Sequence, residues 1–227
     1  MPRNLRVSRL IFKVYGSFRA GTGNEMEIQK SRDMLKNYPK EIILKDGCGV
    51  TLRPLQRGDE PRLQKMYERL PEEDRWFLES DVSDFETIRQ WTENNDLKKL
   101  ISVVAVLEGE IIAHATLIRK YHGASSHVGK IRISVDPAFR ERHLGTWILL
   151  ELNNLAISLG LETLLMPLVG GRDTHVTEGI KRLDFREEAV LQDYLKDREG
   201  NPYSLVIMVK RLKKVWEGNL SRQAHES

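Results

Sequence analysis

One cysteine, Cys48, is present in 227 residues, so the chain has no internal disulfide and must hold its fold by packing. The surrounding "DGCG" reads as a turn and lacks the electropositive setting that a nucleophilic thiol needs. No uncharged stretch approaches the roughly 18 residues needed to cross a bilayer. The N-terminus also lacks the continuous apolar segment of a secretory signal, and the expected location is the cytoplasm. There is no glycine-rich P-loop and no G-x-S-x-G, and the histidines and the cysteine fall at no zinc-ligand spacing. A nucleotide hydrolase, a serine hydrolase of the elbow type and a metal enzyme are therefore not expected.

Acid is missing locally. The first 24 residues, "MPRNLRVSRLIFKVYGSFRAGTGN", carry four arginines and one lysine with no Asp or Glu. Such an arm suits contact with nucleic acid or an anionic membrane, or a transit-like role. Five charges make a weak nucleic-acid signature, however, and a solvated extension is the plainer reading.

What is present is a core. Hydrophobic residues at 40% and charged residues at 30% describe a globular chain, and its length fits one domain with extensions. Residues 1–40 read as a basic extension, with a short helix near Ile28 to Lys36 before Pro39; residues 41–212 read as the domain and 213–227 as a tail.

"EIILKDGCGVTLRPL" predicts two strands around an Asp-Gly turn. "DEPRLQKMYERL" has Leu63, Met66, Tyr67 and Leu70 at helical spacing, "PEEDRWFLES" continues helically, and Ser83 with Glu86 forms a capping-box pattern for a third helix. Two β-branched runs flank Glu108-Gly109 as a hairpin, and "HVGKIRISV" adds a strand. Beyond Pro137, Leu144, Ile148, Leu152, Leu155 and Leu159 form one helical stripe ending at Gly160, and Trp147 is expected to pack. A strand, a short helix and two strands close the domain. The order ββααα, βββ, α, β, α, ββ is an α+β arrangement with one central βαβ unit.

At that unit the chain reads "RISVDPAFRERHLGTWILLEL", with three charged residues and a histidine where strand gives way to helix. A helix start offers free N–H groups and a positive dipole end, and Arg140 and Arg142 add guanidinium groups that match phosphate oxygens. On these residues alone, a diphosphate cradle and an ordinary helix start with exposed arginines are both open.

"ISVDPAFRERHLG" resembles the acyl-CoA-binding motif of the GNAT superfamily of N-acyltransferases, V-x-P-x-x-(R/Q)-x-x-G-x-(G/A). Val135, Pro137, Arg140 and Gly145 match, and His143 stands where the first glycine is usual, a substitution compatible with a position that does not need positive φ. The resemblance runs from about Gly49 to Leu212. "IKRLDFREEAVLQDYLKDREGNPYSLVIMVKRL" is similar to the family's last helix, Gly-Phe pair and closing strands, with Asp184-Phe185 in place of Gly-Phe.

The resemblance implies a GNAT-type, mostly antiparallel sheet and binding of acetyl-CoA or another acyl-CoA as co-substrate. Ile133, Ser134 and Val135 would pair with the pantetheine arm by β-augmentation, and the amides of Arg140, Arg142, His143, Leu144, Gly145 and Thr146 would hold the diphosphate. The thioester would lie in a gap between "KIRISV" and "LLMPLV", open to an amine acceptor. Many members use a Glu on that strand as base and a Tyr on the last helix as acid; here those positions hold Lys130 and Ile180, and an upstream Asn position holds Asp173. Catalysis would then rest on positioning, or on another group, with Glu178 and Tyr194 the leading candidates and Asp193, His114 and His175 also considered. The expected function is N-acetyl (or other acyl) transfer to a primary amine of a small molecule or protein. The alternatives are a silent acyl-CoA-binding module and a nucleic-acid or membrane-surface protein using the basic arm.

Overall fold

β-Branched residues in alternating runs build one eight-stranded sheet: β1 Lys40–Ile43, β2 Gly49–Pro54, β3 Leu100–Leu107, β4 Glu110–Arg119, β5 Val128–Val135, β6 Thr163–Val169, β7 Arg186–Lys196 and β8 Pro202–Arg211. The order is β1-β2-β3-β4-β5-β6-β8-β7, and every neighbouring pair is antiparallel except β5 and β6. The computed structural model describes residues 23–93, 97 and 99–212. Most of the basic arm and the tail from residue 213, both singled out above, lie outside the described residues.

Among the described residues six α-helices accompany the sheet: α1 Gly23–Leu35, α2 Glu60–Glu68, α3 Glu72–Trp76, α4 Phe85–Glu93, α5 Leu144–Ser158 and α6 Thr174–Lys181. The β3–β4 turn uses the expected pair, with Glu108 at φ 51° and Gly109 at φ 84°, the two positive values that match the twist of a hairpin. Gly160, at φ 78°, ends α5 in the left-handed conformation that glycine adopts without steric cost.

The pleat sorts side chains onto two faces. Ala113, Ala115 and Leu117 of β4 and Ile131 of β5 meet the α5 stripe of Leu144, Ile148, Leu152, Leu155 and Leu159, all buried, and Ile180 and Phe185 join them. On the opposite face Leu63, Met66 and Tyr67 of α2 and Ile88 of α4 pack over Val104 and Ile111. The sheet is thus covered on both sides, and the strand-to-helix junction after β5 sits at its end.

Three details differ from the sequence reading. Met34, Leu35 and Tyr38 pack on the main core and Ser31 is fully buried, so the compact unit starts within α1 and not at residue 41. The α4 start is capped by Asp84, whose Oδ1 accepts from the Glu86 amide at 3.0 Å, while Ser83 turns back to Asp81. The shorter reach of the aspartate adjacent to the helix wins. Trp147 is 43% exposed, because it falls on the outer face of α5 with Thr146 and Leu150.

Candidate functional site

The parallel β5–β6 ladder is short. Val128, Gly129 and Lys130 pair with Thr163, Leu164 and Leu165, and no pairing continues past that point. On their other sides the strands stay zipped: β5 pairs with β4 from Gly129 to Val135, and β6 with β8 from Thr163 to Val169. From Ile131 and Met166 onward the two strands therefore diverge and leave a slot between main-chain edges. Gly129 marks the hinge of this divergence, since a Cβ there would stand 2.8 Å from both Leu117 and Leu161 side chains. An unpaired strand edge accepts another extended chain, which is how the slot can hold a ligand arm.

At the end of β5, Asp136 and the 3₁₀ turn Pro137–Phe139 lead to the α5 start. Asp136 Oδ1 accepts from the Ala138 amide at 3.0 Å, its own amide donates to Ile112 O at 2.9 Å, and its carboxylate takes Arg69. Beyond it the backbone alternates: Glu141 has φ 62° and His143, the N-cap of α5, has φ 66°. The sequence expectation for His143 is thereby corrected, because the position does require positive φ. Glycine's usual presence there has this cause, and an L-residue carries a cost on the order of 1 kcal/mol. The loop is held from outside, where the Lys45 amide donates to Arg142 O at 3.2 Å and Arg142 pairs with Asp46 at 2.8 Å.

Such a junction is suited to an anion. Left-handed residues in alternation turn successive amides toward one side, and a helix N-terminus adds its own free donors. Among the described residues, the His143, Leu144, Gly145 and Thr146 amides donate to no other backbone group. A Cβ built on Gly145 would meet nothing within 4 Å, so the space beside the first turn of α5 is open. The donor set and this space fit the diphosphate of a coenzyme.

The arginines serve the neighbourhood differently from the sequence reading. Arg140 Nη2 pairs with Asp74 at 2.8 Å and its Nε donates to Val135 O at 3.2 Å. Arg172, which follows β6, reaches the same carboxylate at 2.8 Å and Glu73 at 2.9 Å. Asp74 of α3 thus joins the two banks of the slot. Trp76 donates from Nε1 to Lys196 O at 2.7 Å, and Phe77 packs edge-on to Tyr203, fastening the same segment to the β7–β8 end. Asp173, at the start of α6, accepts from the Val169 amide at 2.7 Å, and burial pushes its carboxyl pKa up.

A cavity of about 220 Å³ lies beside the slot, on the face covered by α2 and α4. Arg132 and Ser134 of β5, His114 and Thr116 of β4, Tyr67 of α2 and Trp91 of α4 line it. His114 is 2% exposed, its Nδ1 lies 2.7 Å from the Tyr67 hydroxyl, and its ring sits 5.4 Å from Trp91. Burial drives its pKa down to about 4, and burial likewise raises that of Tyr67. Lys130 and Arg132 both hold Glu79, so a carboxylate stands at the strand position after all, supplied by a neighbouring segment. Sequence spacing gives no sign of Glu79, because it arrives from a loop 51 residues away.

The sequence-predicted residues divide. Ile133, Ser134, Val135, Arg140, Arg142, His143, Leu144, Gly145 and Thr146 all fall on β5, the junction or the first turn of α5. Glu178 is exposed on α6 and pairs with Lys181 at 2.9 Å, and Tyr194 is 63% exposed on β7. Asp193, at φ 53°, forms part of an irregularity in the β7–β8 register, and His175 is exposed on α6. None of these four lines the cavity; His114 does.

The model of the acetyltransferase (GNAT) family matches residues 63–170, from α2 through β6. Among solved structures, the GNAT domain of S. lividans PAT superposes with a TM-score of 0.63 at 17% identity, covering 77% of this chain and 97% of that one. The ribosomal-protein-alanine N-acetyltransferase from Brucella melitensis gives 0.60 at 22%, covering 71% and 99%. An N-acetyltransferase from Staphylococcus aureus gives 0.62 at 15%, covering 72% and 99%. At such identities the likeness is one of fold. No curated protein matches the chain.

Proposed function

The chain belongs to the GNAT superfamily of acyl-CoA N-acyltransferases, and from that premise we propose that it moves an acyl group, acetyl in the simplest case, from acyl-CoA to a primary amine. The observation that carries the reading is the slot between β5 and β6, beside the open first turn of α5. Its unpaired β5 edge, Ile133 to Val135, is the natural partner for the pantetheine amides. The amides of His143 to Thr146 would hold the diphosphate, with the guanidinium groups of Arg140 and Arg142 adding positive potential.

The co-substrate would supply a thioester carbonyl in the slot. The acceptor ammonium first gives one proton to solvent; its nitrogen then forms the new bond to the acyl carbon as the carbon–sulfur bond breaks, and the departing thiolate takes up a second proton from that nitrogen. The chain's part is placement. With Lys130 and Ile180 where the family's usual base and acid stand, and with Glu178 and Tyr194 on the outer surface, we assign proton removal to water at the slot.

Isothermal titration with acetyl-CoA tests the reading directly: binding is expected, and no heat at millimolar ligand rejects it. Arg140→Glu with Arg142→Glu is expected to weaken that binding by about 10-fold or more through reversed charge near the phosphates. Thiol release against a panel of amines separates an enzyme from a binding module, since intact binding with persistent silence favours the module.

A further inference from the structure

Two side chains that line the cavity beside the slot, His114 and Arg132, each hold a buried polar atom with no partner among the described residues. The Tyr67 hydroxyl lies 2.7 Å from His114 Nδ1, and when it donates there the neutral imidazole carries its proton on Nε2. That Nε2–H is buried and has no partner among the described residues, and the Nε–H of Arg132 is in the same condition. Leaving a buried donor unmade is costly, and two of them on side chains that line one cavity point to an oxygen acceptor that arrives with a ligand.

The charge of that ligand follows from the same side chains. Lys130 and Arg132 share a single carboxylate, Glu79, which is the one acid lining the cavity among the described residues, so the local balance is positive. Glu79 occupies the guanidinium through Nη2 and leaves Nε free. Leu78, Val82, Trp91 and Ile118 supply apolar surface around this polar end. An anionic oxygen pair attached to an apolar body meets both demands.

We propose that the cavity seats the carboxylate of the acceptor, an α-amino acid with an apolar side chain, on His114 Nε2–H and Arg132 Nε–H. The side chain lies against Trp91 and Leu78, and the amine faces β5 and the slot. Acylation of that amine rests on the acyl-transfer reading above, whereas carboxylate binding does not, and the two can fail separately.

The test uses the full chain and matched pairs: the common L-amino acids against their α-amides, which keep the side chain and the amine but remove the negative charge. Binding is read by tryptophan emission with Trp91→Phe as the control, and turnover by thiol release from acetyl-CoA. Apolar amino acids are expected to exceed their amides by about 10- to 100-fold in both readouts, the range for hydrogen bonds to a charged group. Arg132→Met is expected to erase that preference, so that each apolar acid falls to the level of its own amide in the same variant.

Should every amide equal or surpass its acid in emission and in turnover, or lysine peptides be acylated while free amino acids give no signal, the carboxylate site is refuted. Silent thiol release with acid-selective quenching would keep the site and overturn the acyl-transfer reading instead. An Arg132→Met protein that does not fold leaves the wild-type comparison to decide.

Discussion

Acidification should weaken this fold mainly through His114. The imidazole is enclosed by β4, α2 and α4, and burial lowers its pKa from 6.5 to about 4. An unfolded chain takes up the proton once pH drops below 6.5, whereas the folded chain resists until about pH 4. The unfolded state therefore binds more protons in that window, and stability falls as pH falls. A shift of this size corresponds to about 3 kcal/mol lost across the window. Asp173 acts in the opposite sense, since its raised pKa lets the folded state take a proton first as pH falls toward the carboxylate range. Asp59, with its pKa lowered and Arg53 and Arg62 bound to it, contributes only below that range.

Urea denaturation of the parent and of His114→Gln at several pH values between about 7 and 4.5 isolates the histidine, because glutamine keeps a hydrogen-bonding group next to Tyr67 but cannot titrate. The parent should lose stability more steeply, with most of the extra loss below pH 6.5. Parallel curves for the two proteins would refute the argument that this imidazole is held neutral by its surroundings.

Gly145→Val should leave the melting temperature unchanged or slightly higher, since the added atoms enter open space and glycine is a poor helix former, by about 1 kcal/mol. The same change should lower acetyl-CoA affinity by about 10-fold or more by filling the space beside the first turn of α5; calorimetry showing parental affinity would dismiss the anion site there. Gly129→Ala should cost about 1–3 kcal/mol by overpacking against Leu117 and Leu161, read as a drop in melting temperature. An unaltered melt would mean that the strands are not tightly met at the hinge.

Much of the fold was legible because its signals are local. The α5 stripe, the Glu108-Gly109 turn and the β-branched runs each state their own conformation, and the parallel pair follows from placing a helix between two strands. Arg140 and Gly145 likewise carry a spacing that can be read along the chain. The pairing of side chains across the structure is a different matter. Glu79 meets Lys130 and Arg132, Asp74 meets Arg140 and Arg172, and His114 meets Tyr67 only once the chain has folded, at separations that no periodicity encodes. The surface setting of Tyr194 was hidden for the same reason: β7 carries the apolar run Ala189 to Leu191, yet as the last strand of the sheet it has little packed on it.

The α3 segment contributes no buried side chain of its own, and ion pairs with Arg140, Arg172 and Arg198 supply much of its attachment. Exposed pairs of this kind are worth about 0–1 kcal/mol each and fade as salt screens them over roughly 10 Å at 0.1 M. The main-chain donors of the cradle are fixed by the fold and do not loosen in that way. Ionic strength is thus a dial for the covering of the slot separately from its floor, and rising salt frees two guanidinium groups at the moment it dims their reach.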